Sequence, residues 1–240
     1  MNHDLPTPSV ALAIVAHPDD AEFQCGATLA KWAASGCEVH HLVCTDGSKG
    51  TWDPNCDQVA LVALRQEEQR AAALRLGGGD VRFLPRVDGE LDSDLETRSL
   101  VARVIRDVRP TVVLGHDPWK RYRLHPDHRS AGQLAVDGVV AARDPFFFPE
   151  HGLAHHRPDA LLLFEADEPD HAEDTSGFED IKTAALLEHV SQFVTTHDIT
   201  DPADEAQRQR FARWVNGSLA AGGEIAGLES AELYKLIAPL

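Results

Sequence analysis

The chain has 240 residues, 43% of them hydrophobic and 25% charged, a composition that suits a globular α/β domain able to bury its own core. Its 22 basic and 39 acidic side chains leave a net charge of −17 at pH 7, a field that repels polyanions and makes nucleic acid and anionic membranes poor partners. The early apolar run Val10 to Ala16 is far too short for a membrane span and follows no basic segment, and Cys25, Cys37, Cys44 and Cys56 form no C-x-x-C pair, so a cytoplasmic protein with reduced thiols is expected.

In chain order, short apolar runs alternate with segments of helical period. Strands are expected at Val10 to Ala16, Glu38 to Cys44, Val81 to Leu84, Thr111 to Gly115 and Ala160 to Phe164. Helices are expected at Asp20 to Ser35, Asp57 to Leu76, Leu95 to Val108 and Pro126 to Arg143, several opened by an acidic residue and closed near Gly or Pro. Two more, Asp180 to Val194 and Ala203 to Ala220, close the chain. This alternation is the signature of βαβ units, hence a Rossmann-like, mostly parallel sheet flanked by helices, with residues 1–240 as one domain. Pro145 to Pro158 carries Phe146, Phe147 and Phe148 with three histidines and no period; it reads as a loop that either packs on the body or covers a site. Pro158 to Ile181 lacks Lys and Arg and reads as a solvated acidic surface.

The first strand runs into AHPDD, which sets His17, Asp19 and Asp20 at the carboxyl edge where open α/β sheets bind ligands. A His and a carboxylate three apart, stiffened by Pro18, can point two donors at one ion. A third donor is suggested by HPDHR, where Pro126 suits the first helical position and His125, Asp127 and His128 surround the opening turn, again downstream of a strand. Most of the thirteen histidines have the ordinary explanation of surface or core packing, but two His-Pro-Asp patterns at strand-to-helix junctions do not. His116, at the end of a strand on the same edge, is intermediate.

AHPDDAEF, then TDGSKG, RQEEQRAAALRLG, FLPRVDGEL, HPDHR and IKTAALLEHVSQ, in that order, resemble the PIG-L (LmbE-like) family of zinc-dependent N-acetylglucosaminyl deacetylases. The resemblance covers nearly the whole chain. It implies a Rossmann-like fold with its active site at the carboxyl edge of the strands, one catalytic zinc, an N-acylated aminosugar as small-molecule substrate, and a homo-oligomer, trimer or hexamer. Carried over by position, the metal ligands are His17, Asp20 and His128, with Asp19 as general base, and Asp127 paired with His125 as a charge relay. Elementary chemistry agrees: a catalytic zinc takes three protein ligands and keeps one position open, while Fe2+ or another divalent ion would fit the same donors. A carboxylate off the metal must accept the water proton, and His125 stands where a second group could stabilise the oxyanion. Asp127 has the plainer alternative of capping its helix.

Arg65 of RQEE and Asp88 of VDGE resemble the family's sugar-binding residues, and Asp46 and Ser48 of TDGSKG end the second strand and are expected to line the pocket. Two departures from the family matter. Ala21 separates AHPDD from Glu22, so Glu22 receives no catalytic role, and Arg123 lies two before His125, an extra cation that would favour an anionic substrate unless it is a surface arginine. Rival readings are a metal-dependent amidase acting on a non-sugar amide, a non-haem iron oxygenase built on a two-His-one-carboxylate triad, and a nucleotide-binding domain. The last lacks G-x-G-x-x-G after the first strand, and Gly77, Gly78 and Gly79 follow a helix instead.

Overall fold

A computed structural model describes residues 1–240. Val10–Val15 forms β2, the strand from which the sheet is built outward in both directions. Its residues alternate between two cores: Ala11, Ala13 and Val15 face one, Leu12 and Ile14 the other, and all are fully buried. Burial on both faces explains why the run is apolar throughout instead of alternating.

On one side of β2 lie β3 (Glu38–Val43) and β4 (Val81–Phe83); on the other lie β5 (Val112–His116), β6 (Ala160–Phe164), β8 (Ala231–Ile237), β7 (His171–Asp174) and the short β1 (Asn2–His3). Only β8 runs antiparallel to its neighbours. Helices α1 (Asp20–Ala34), α2 (Gln58–Arg75) and α5 (Glu179–Leu186) contribute to the first core, and α3 (Leu95–Val108) and α4 (Pro126–Arg143) to the second. The chain order reverses beside β2, so the crevice at its carboxyl end is the topological switch point where such sheets bind ligands.

Side chains that begin the helices match the expectation for α2 and α3, where Asp57 and Asp94 accept backbone N–H bonds as N-caps. For α4 the cap is His125, whose Nδ1 accepts the Asp127 N–H at 3.3 Å. Gly132 lets α4 approach β5 closely, since a Cβ there would lie 2.6 Å from the His116 carbonyl. That contact sets the His128 ring on the His116 ring, centroids 4.4 Å apart.

Four expectations are corrected. The acidic stretch is not all solvated: β7 is a buried strand, because Glu173 accepts bonds from Lys31 Nζ at 2.6 Å and Trp32 Nε1 at 3.2 Å, partners far away in sequence. β8 was not anticipated, and its Glu232 is likewise paired with Lys182 at 2.6 Å. The helix expected at Asp180 to Val194 stops at Leu186, after which a 3-10 turn at Val190–Gln192 carries the chain to the sheet edge; the final helix, α6, runs Glu205–Ala226. The three-phenylalanine loop follows the carboxyl end of α4, while the histidines begin that 18-residue helix, so the loop lies at the opposite edge of the sheet. There the Arg106 guanidinium gathers the carbonyls of Ala141, Asp144, Phe147 and Phe148, and Phe146 is 90% exposed.

A smaller core of Leu186, Phe193, Ile199, Phe211 and Val215 supports Phe23. His197 sits within it, its ring 4.4 Å from that of Phe211, and burial pushes its pKa down to about 3. The folded pKa lies below the usual 6.5, so the unfolded chain binds the proton that the native one refuses. Stability from this group is complete above pH 6.5 and is lost as pH falls toward 3, at about 1.4 kcal/mol per pH unit. In denaturant titrations between pH 6 and pH 4.5, His197→Phe is expected to lose stability less steeply than the wild type, by about one proton's slope. Parallel slopes would show that His197 is protonated in place.

Candidate metal centre and substrate cavity

A cavity of about 570 Å³ opens at the carboxyl edge of β2. Its floor holds His17, Asp19, Asp20, His125 and His128, and Arg65 and Asp88 lie on its walls. The expected site residues thus converge from the β2–α1 junction, α2, the loop after β4 and the start of α4. Asp127 is fully buried beneath the floor. Asp46 and Ser48 do not line the cavity: Asp46 Oδ1 accepts the N–H groups of Ser48 at 2.9 Å and Asp88 at 3.0 Å, and so shapes the loops that carry Asp88 and Lys49.

Three donor side chains stand at the corners of a compact triangle. His17 Nδ1 lies 3.4 Å from an Asp20 oxygen, the other Asp20 oxygen lies 3.3 Å from His128 Nε2, and the two ring nitrogens are 3.3 Å apart. Two donors each roughly 2.0–2.1 Å from one tetrahedral zinc stand about 3.3–3.4 Å apart, which is the spacing of these pairs. His17, Asp20 and His128 therefore suit one small divalent cation. The opposite nitrogen of His17, Nε2, lies 3.1 Å from Asp127 and 3.3 Å from Asp88, which fixes the ring and leaves Nδ1 turned to the triangle. Burial opposes charge on His17, but the carboxylates of Asp127, Asp20 and Asp88 outweigh it and push its pKa up to about 12. The same three carboxylates would offset the charge of a divalent cation that takes the place of that proton.

The Asp127 carboxylate is committed to His17 and to the N–H groups of Gly89 at 2.6 Å and Leu91 at 3.3 Å. It makes no hydrogen bond to His125, so neither the charge relay nor the capping role expected of Asp127 matches its position; the cap is His125 itself. Beneath the triangle, His116 is fully buried, with Nε2 3.4 Å from Asp20 and Nδ1 3.1 Å from Glu165. Two further donor groups adjoin it: His116, His128 and Glu165, and His17, His125 and Asp127.

Asp19 stands apart from the triangle. Burial pushes its carboxyl up to about 6 while Arg65, with Nη2 at 3.5 Å, pulls the other way. Arg65 is only 3% exposed, and its guanidinium also donates to the carbonyls of Gly47 at 2.8 Å and Pro18 at 2.7 Å. Arg123 faces Glu165, so the extra cation is matched by a carboxylate and gives no separate reason for an anionic ligand.

The upper walls were not anticipated. Trp52, 78% exposed, stands with Thr51, Gln24, Gln192, Thr195 and Thr196 around the mouth, and Phe23 supplies the other apolar surface. Gln192 belongs to the IKTAALLEHVSQ segment, but nothing local marks it as a wall residue; the 3-10 turn places it there, where its Nε2 donates to the Gly50 carbonyl at 3.0 Å.

Residues 12–139 match the family model PIG-L, GlcNAc-PI de-N-acetylase. The chain is 37% identical to a diacetylchitobiose deacetylase of Thermococcus kodakarensis over 185 residues, which cover 76% of this chain and 69% of that protein. It is 32% identical over 207 residues to a 1D-myo-inositol 2-acetamido-2-deoxy-alpha-D-glucopyranoside deacetylase of Catenulispora acidiphila, covering 72% of this chain and 64% of that one. Among solved structures, the N,N'-diacetylchitobiose deacetylase of Pyrococcus horikoshii superposes with a TM-score of 0.86 at 27% identity, over 97% of this chain and 85% of that one.

Proposed function

The chain belongs to the PIG-L family, and from that premise we propose that it is a zinc-dependent hydrolase that removes the N-acetyl group of an aminosugar conjugate. The observation that carries the reading is the triangle of His17, Asp20 and His128 on the cavity floor with the Asp19 carboxylate beside it. These three side chains would hold the metal, and a bound zinc supplies Lewis acidity and a water acidified from a pKa of roughly 15.7 toward 7.

Asp19 accepts the proton of the attacking water, a task that its raised pKa suits, and returns it to the amine nitrogen as the amide C–N bond breaks. His125 also faces the cavity and donates to the oxygen of the tetrahedral carbon. Asp127 and Asp88 orient His17 through Nε2. Asp88 keeps lone pairs for a sugar hydroxyl, and Arg65 keeps part of its donor set for the same ring. The whole chain serves as one catalytic domain in this reading, supported by the single eight-stranded sheet that unites its elements. The cytoplasm is its expected compartment, in keeping with four free cysteines; no helix is long and apolar enough to cross a membrane.

The wall of hydroxyl and amide side chains favours a polyhydroxylated substrate over a non-sugar amide, and Trp52 offers a face to the group attached beyond the aminosugar. Trp52→Ala is expected to raise KM about tenfold for N-acetylglucosamine disaccharides or inositol conjugates, the loss of about 1.4 kcal/mol of stacking, with little change for the free monosaccharide. Equal KM values in both proteins would remove Trp52 from the substrate. The reading as a whole is tested by assaying released acetate and free amine on a panel of N-acetylated aminosugars and simple N-acetyl amides. Turnover confined to the simple amides would leave an amidase, and iron-dependent oxygen consumption without acetate release would leave the oxygenase.

A further inference from the structure

Helix α2 grips both ends of one peptide unit. Arg65 donates to the carbonyl of Pro18 at 2.7 Å, and one helical turn later Gln69 Oε1 accepts the N–H of Asp19 at 2.9 Å. The gripped peptide leads into a left-handed residue: Asp19 has φ 96° and ψ −25°, a region that residues with a Cβ enter at a cost of roughly 1–2 kcal/mol. Gln69 is itself held, because its Nε2 donates to Glu22 Oε1 at 2.8 Å and Glu22 Oε2 lies 3.3 Å from His189 Nε2. Gln69, Glu22 and His189 are all fully buried, and none lines the cavity.

Burying an amide, a carboxylate and an imidazole is costly unless each is bonded, and here the bonds form one chain that ends on the Asp19 backbone. Asp19 and Asp20 are consecutive yet must point apart, one at the cation site and one at the substrate. An ordinary right-handed conformation at Asp19 would turn its side chain away from its present direction. We propose that Gln69, locked by Glu22 and His189, is a positioning residue for the reaction, holding Asp19 in its left-handed conformation so that its carboxylate stays beside the metal centre and off it. The inference rests on the reading of Asp19 as proton acceptor. It also gives Glu22 a function through Gln69, although Glu22 meets neither substrate nor metal ligand.

The test uses Gln69→Leu, Gln69→Glu, and the exchange Gln69→Glu with Glu22→Gln. In the exchange, the carboxylate introduced on α2 would accept from both the Asp19 N–H and the amide introduced on α1, so the chain of bonds is rebuilt with its polarity moved. Gln69→Leu and Gln69→Glu are expected to lower kcat about 10–100-fold, the scale of a displaced catalytic group, with KM and metal content unchanged, and the exchange to recover most of it. In metal-free protein, NMR hydrogen exchange of the Asp19 amide is expected to quicken about tenfold or more in Gln69→Leu. Combining Gln69→Leu with Asp19→Asn should cost no more than Asp19→Asn alone, as for groups acting through one another. The proposal fails if Gln69→Leu keeps kcat and the Asp19 exchange rate, if its loss of activity follows loss of metal, or if the two substitutions add. Should Gln69→Leu not fold, the comparison of Gln69→Glu with the exchange decides. Asp19→Asn measured alone separates the two levels: activity retained there overturns the proton-acceptor reading, whereas activity lost there and kept in Gln69→Leu overturns the positioning role only.

Discussion

Replacing Asp19 is expected to leave the metal bound and to cut turnover about 10²–10⁴-fold, the usual loss when a general base is removed. Three observations carry this. Asp19 lies outside the triangle of donors, its carboxyl is raised to about 6 by burial against the pull of Arg65, and it faces the same cavity as His125. Asparagine is the cleaner substitution, since it tolerates the left-handed backbone that alanine would resist and keeps the side-chain shape. Metal analysis and steady-state kinetics on Asp19→Asn and Asp19→Ala together check the expectation. Near wild-type turnover would make Asp19 structural, and metal loss would exchange its role with that of Asp20.

His128→Ala is expected to release the metal. Removing one of three protein donors should weaken affinity by more than the roughly 10–100-fold typical of an outer-sphere partner, so that dialysis against a mild chelator empties the variant and spares the wild type. Deacetylation falls with it. The fold should persist, because α4 keeps its His125 cap and buries Ala131, Leu134, Ala135 and Val139 against the sheet. Elemental analysis beside circular dichroism checks both halves. Full occupancy in His128→Ala would move the centre to the adjoining group of His17, His125 and Asp127, the donor group without His128, which His125→Ala would then disrupt.

Legibility in the sequence followed the range of the interaction. His17, Asp20 and His128 could be found because each motif lies at a strand-to-helix junction, where a few local residues decide both the backbone turn and the donor. Asp127 could be found too, but not understood: its partner His17 is 110 residues away. Asp46 and Ser48 were drawn toward the pocket by their place at a strand end, yet loop closure turned Asp46 onto the backbone of Ser48 and Asp88. The phenylalanine loop suggested a cover, and only the direction of α4 sets it at the far edge of the sheet. Gln69 and Glu22 carried no local mark, since a glutamine and a glutamate on helices are ordinary until the two helices are packed together.

The sequence by itself determined the alternation of strand and helix and the two metal-type motifs at the carboxyl edge, because continuous apolar runs, helix caps and proline-stiffened junctions are enforced by neighbours along the chain. The tertiary structure alone decided which polar groups meet: Asp127 with His17, Gln69 with the Asp19 backbone, and Glu173 with Lys31. A buried polar group must find a partner, but parallel crossovers bring together the ends of strands that are far apart in sequence. Its partner is therefore set by the path of the whole chain and leaves no trace in the residues beside it.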